Sequence, residues 1–205
     1  MKFETTKLNK YYYHELHYLA YQIDKKCKLV FDNTQPLFPG AFIQNDPETH
    51  SIITSLLNDA AGISRLISLP KKKSKSETAP LFALRTNRAE TINAFLESID
   101  ITEIQNRTVR NSVEHFDEHL DRLNLRLSND PFDPPPIAYN LTISDWDIYE
   151  PKLLPIKLYV VSEKKFYNMG NKVDLNKIHE EAEQILKKCS SAGISHIPMG
   201  LFPSA

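Results

Sequence analysis

The hexapeptide Arg110-Asn111-Ser112-Val113-Glu114-His115 holds the side chains of this chain best suited to chemistry. A guanidinium offers planar, paired N–H donors to a phosphate. An imidazole takes or gives a proton near neutral pH. Together they meet the needs of RNA cleavage without a metal. RNA carries its own nucleophile, the 2′-hydroxyl. A neutral His115 would deprotonate it, the imidazolium would protonate the departing 5′-oxygen, and Arg110 would stabilise charge on the phosphate. Asn111 would orient the phosphate or the His115 ring, with Arg107 and Glu114 in support. On a regular helix at ~100° per residue, Arg110 and His115 lie about 140° apart, whereas Asn111 shares the His115 face and Arg107 is nearer to it. The pairing then comes from a second protomer, or Arg107 is the working arginine, or these residues form a plain helix face held by i,i+4 ion pairs. Glu114, Asp117, Glu118 and Asp121 crowd the same stretch and oppose a phosphate.

Other chemistries find less. A di-iron bundle needs Glu-x-x-His on two helices, and neither that spacing nor His-Glu-x-x-His occurs. His14 and His17 sit one turn apart without a third ligand in view. No metal and no cofactor are expected. There is no Gly-x-Ser-x-Gly elbow, and the five glycines form no phosphate cradle. Cys27 and Cys189, the two cysteines, have neither metal nor catalytic spacing and point to a reducing, cytoplasmic setting. The first ten residues lack the apolar core of a signal peptide, and no apolar run approaches the ~20 residues of a membrane span. A net charge of −1 gives no global field for nucleic acid, so any RNA contact needs a local patch. Lys71, Lys72, Lys73 and Lys75 offer one, either as phosphate contacts or as a solvated loop.

The elements that must position these groups read as mainly α. Leu8, Tyr12, Leu16, Leu19, Ile23, Cys27 and Val30 keep a three-four rhythm and predict a helix over 8–30. A loop is expected over 31–45. Asp46 followed by Pro47 is a capped helix start, and apolar spacing carries that helix to 67. Asn87 with Glu90 has capping-box spacing and opens a short helix to 99; Asp100 with Glu103 repeats it ahead of a long helix. Val109, Val113, Phe116, Leu120, Leu123 and Leu127 give that long helix one apolar face. The proline-dense stretch 130–136 ends the bundle. Beyond it, 138–143 and 156–161 read as strands, Phe166 and Tyr167 as a return strand, Asp174 as the cap of a last amphipathic helix, and 190–205 as irregular. The expected organisation is a bundle of four main helices over 1–130 and a small β-hairpin plus helix extension over 131–205.

Arg-Asn, three residues, then His on the last long helix of a bundle resembles the Arg-x4-6-His motif of the HEPN superfamily (higher eukaryotes and prokaryotes nucleotide-binding). The likeness spans roughly 7–128. It implies a HEPN-like bundle acting as a metal-independent endoribonuclease of toxin or defence type, with Arg110, Asn111 and His115 as its catalytic residues. It further implies a homodimer that brings two motifs together, RNA as substrate and an antitoxin-like protein partner. The toxins of that superfamily paired with nucleotidyltransferase antitoxins carry Tyr two residues after the His, where this chain has Asp117. The alternative is a non-catalytic HEPN-like module that binds RNA or protein.

Overall fold

The computed structural model describes residues 9–35, 42–130, 132–148 and 153–195. The tail from 196 on and Pro131 of the expected linker lie outside them, as do residues 1–8.

The apolar rhythm of the N-terminal stretch forms α1, Asn9–Asn33, which buries Leu16, Ile23, Cys27 and Val30 completely. α2, Pro47–Ile67, starts as the sequence predicts. The Asp46 carboxylate accepts from the Thr49 backbone N–H at 3.0 Å, and Pro47 occupies the first turn, where a missing N–H costs nothing. α1 and α2 pack closely: a Cβ added at Gly62 would lie 2.8 Å from Cδ1 of Leu19. The last helix, α6 at Leu175–Ser191, opens on the expected cap, with Asp174 accepting from the Lys177 N–H at 2.9 Å. It packs on α1, and one apolar core joins Leu16 and Ile23 to Ile178, Ile185 and Cys189.

The expected bundle with a small hairpin is corrected. The chain builds a five-stranded mixed sheet in the order β1 (Ile43–Asn45), β2 (Ile137–Ile143), β3 (Leu154–Val160), β4 (Lys165–Asn168) and β5 (Asn171–Asp174). β2 and β3 are parallel, and the other neighbours are antiparallel. One face sends Tyr159, Phe166 and Val173 into the helical core. The other collects Ala138, Ile143, Leu158 and Val160 into a second cluster with Trp146. Each hidden strand has a physical reason for escaping notice. β1 has three residues, all exposed, and gains its backbone partners only from residues about a hundred positions later. β5 has four residues, with only Val173 buried.

Two helices also differ from expectation. α3 spans Ala79–Leu96 and is opened by Thr78, whose hydroxyl accepts from the Leu81 N–H at 3.4 Å, so Asn87 and Glu90 lie inside it. The long helix is two: α4, Thr108–Glu114, and α5, Phe116–Ser128. They meet at His115, whose φ of −109° and ψ of 46° fall outside the helical basin. Asp100 accepts from the Thr102 N–H at 3.1 Å and begins a turn over 102–105 rather than a helix. No helix among the described residues is long and apolar enough to cross a membrane.

Candidate functional site

α4 is short, and its orientation is imposed from outside. The carboxylate of Glu181 on α6, only 2% exposed, accepts from the backbone N–H groups of Glu103 at 2.9 Å and Ile104 at 2.8 Å. Burial raises the Glu181 carboxyl above its usual range, while those two N–H donors pull it back. Glu103 reciprocates by accepting from the Asp174 N–H at 3.1 Å. This clamp fixes the turn that feeds α4. The inner face of α4 then buries Val109 and Ser112; the Ser112 hydroxyl donates to the Val109 carbonyl at 2.7 Å and accepts from Asn168 of β4 at 2.8 Å. With that face held, the opposite side carries its arginines outward.

They meet others there. A cleft of about 480 Å³ between the C-terminal end of α2, α3 and α4 is lined by Arg65, Arg85, Arg88, Arg107 and Arg110. Ser68 to Pro70 and Glu114 complete it. Five of the seven arginines in a chain of net charge −1 therefore face one space, opposed by a single lining carboxylate. Several are held in place. Arg107 donates to the Ser68 hydroxyl at 2.6 Å, Arg88 lies over the Tyr12 ring at 5.4 Å, and Arg85 pairs with Glu77 at 2.8 Å. Arg110 donates to the Asn111 side-chain oxygen at 3.1 Å, with the Glu114 carboxylate 3.6 Å from its Nε. The Nε atoms of Arg85, Arg88 and Arg110 are buried with no hydrogen-bond partner. A buried donor without an acceptor costs ~1–3 kcal/mol, which the oxygens of a bound anion would offset.

No family model, curated protein or solved structure matches this chain. What it does must be argued from the cleft itself.

The structure brings Arg107, Arg110 and Glu114 together in the cleft lining and sets Asn111 beside Arg110 as its acceptor. His115 is not among the lining residues. Its side chain is 58% exposed, with Nδ1 3.5 Å from Glu118. Lys71, Lys72, Lys73 and Lys75 are exposed in the loop that follows Pro70 at the cleft rim. The i,i+4 pairs of the plain-helix reading form at Arg110–Glu114, 3.6 Å, and Arg122–Glu118, 3.4 Å.

Sequence reasoning missed Arg65, Arg85 and Arg88. Arg85 and Arg88 stand three apart on α3 and so share a face, a signal available before folding. Nothing in the sequence tells that this face meets Arg65 and α4. A second cluster, Asp24, His179 and Glu183, keeps three potential metal-ligating atoms within 4.8 Å of one another. Asp24 already receives the His179 ring nitrogen at 2.8 Å, a hydrogen bond that ties α1 to α6, and the Lys28 ammonium of its own helix at 2.8 Å.

Proposed function

We propose that this protein binds the phosphodiester backbone of single-stranded RNA in the arginine-lined cleft. The convergence of five guanidiniums on one concave space carries the reading. Arginine suits this role better than lysine because its planar fork meets two phosphate oxygens at once. Arg107 and Arg110 are the central contacts, Arg65, Arg85 and Arg88 widen the positive wall, and the lysines of 71–75 extend it past the rim. The test is fluorescence anisotropy with a labelled single-stranded RNA and its DNA counterpart. Submicromolar to micromolar binding at low salt, weakened in Arg110→Ala, supports the reading; equal behaviour of the two proteins contradicts it.

A second reading, cleavage, is favoured by the helix break at His115, which leaves an exposed imidazole directly after Glu114 of the cleft wall. Because His115 does not line the cleft of its own chain, this reading calls for a homodimer in which one protomer's His115 meets the other's Arg110. The chemistry is the metal-independent transfer to the 2′-hydroxyl, leaving a cyclic phosphate. Cleavage of an RNA pool in EDTA that persists in wild type and disappears in both His115→Ala and Arg110→Ala would establish it. Binding without cleavage leaves the first reading alone. An antitoxin-like protein partner belongs to the second reading and falls with it.

A further inference from the structure

At the opposite end of α2 lies a groove of about 450 Å³ between the start of that helix and strands β2 and β3. On α2 His50 stands about 15 residues before Arg65, some ~22 Å away at ~1.5 Å of rise per residue. The two spaces are separate.

Three independent observations meet in this groove. The first is backbone strain. Asn140 on β2 and Lys157 on β3 both line it, and both hold positive φ, 50° and 60°. They are neighbours: the ladder pairs Tyr139 with Ile156 and then Leu141 with Leu158, passing over both residues. Each strand turns over at that point. Ala138 and Leu141 on β2, an odd number of residues apart, pack in the same apolar cluster, and on β3 Ile156 and Tyr159, also an odd number apart, are both buried. Asparagine tolerates this conformation and its carbonyl is used, accepting from the Asp46 N–H at 2.9 Å. Lys157 is a bulky residue in the same conformation, and such strain concentrates at working sites.

The second is an unsatisfied acceptor. His50, 3% exposed, gives its Nε2–H to the Leu141 carbonyl at 3.1 Å, which leaves Nδ1 as a buried lone pair without a donor. The third is the lining. Thr54 spends its hydroxyl on the His50 carbonyl and Ser55 accepts from Lys26, while Ser51 and Asn58 are exposed along the groove. The Lys157 ammonium lies over the Phe116 ring at 4.9 Å and 5.7 Å from the centre of the Tyr139 ring, which is 54% exposed.

We infer that this groove binds a small polyhydroxylated molecule, a sugar or polyol, through Ser51, Asn58, Asn140, Lys157 and His50. Hydroxyls and carboxamides both give and accept, as a vicinal diol requires. His50 Nδ1 can only accept, so it selects a ligand hydroxyl over a carboxylate or phosphate oxygen. A single ammonium among neutral groups distinguishes the site from the multiply charged arginine cleft.

The test is saturation-transfer NMR on the whole protein with D-ribose, D-glucose and myo-inositol, each at millimolar concentration. At least one should show transfer to its ring protons. Lys157→Gly removes the ammonium and relieves the strain together, so it should abolish that transfer while raising Tm by roughly 2–4 °C. Ser51→Ala, an exposed change on the groove wall, should weaken the signal at least threefold with Tm unchanged. Absence of transfer from all three compounds with wild type, or a signal that survives in Lys157→Gly, overturns the inference.

Discussion

The Nε–H groups of Arg85 and Arg88 on α3 and of Arg110 on α4 are buried around one cleft without hydrogen-bond acceptors, and that detail sets how the site should respond to substitution. Arg110→Ala removes a donor pair and a charge, and the loss of one charge-assisted contact, ~1.5–3 kcal/mol, should weaken RNA binding roughly tenfold or more. Arg110→Lys should restore only part of that affinity, because an ammonium presents a point charge where a fork is needed. Anisotropy titrations of the three proteins decide this. His50 gives a prediction of a different kind. Burial lowers its pKa to about 4, so the unfolded chain takes up the proton first as pH falls. Stability from this group is therefore complete above pH ~6.5, declines between ~6.5 and ~4 by up to ~3 kcal/mol, and is level below. Urea midpoints measured across that window should fall in wild type and fall less in His50→Phe.

At the scale of elements, the placement of α4 depends on Glu181, a residue on another helix. Glu181→Ala would leave the N–H groups of Glu103 and Ile104 without their acceptor and should destabilise the fold by ~2 kcal/mol in chemical denaturation. It should also weaken RNA binding without touching an arginine, because the turn that carries Arg107 loosens. A Glu181→Ala protein as stable as wild type would remove the clamp from the account. The sequence marked α1, α2 and α6 well, since each has a full apolar stripe, and α2 and α6 also have a capping aspartate. It could not mark the break at His115. Val109, Val113, Phe116, Leu120 and Leu123 keep their spacing straight through it, while the packing of α4 on β4 and β5 is visible only in the folded chain. The short strands β1 and β5 failed for the same reason: they exist by virtue of partners, and their own residues carry little pattern.

For the whole molecule, net charge is a poor guide to what it attracts. A chain at −1 still gathers five guanidiniums in one cleft, with an exposed run of lysines at its rim. Arg107 and Arg110 belonged to the motif legible in the sequence; Arg65, Arg85 and Arg88 came from two other helices and became visible only once the chain folded. Such a site should act through local counterion release, so affinity for a single strand falls with salt by ~0.7 log units per log unit for each phosphate held. The most direct measurement is that salt dependence, taken by anisotropy on wild type and on the Arg107→Ala/Arg110→Ala double variant. The cleft predicts a steep slope for wild type and, for a double variant of unchanged Tm, a slope shallower by about 1.4 with affinity down at least tenfold. Identical slopes and affinities, or no binding by wild type even at low salt, would contradict it.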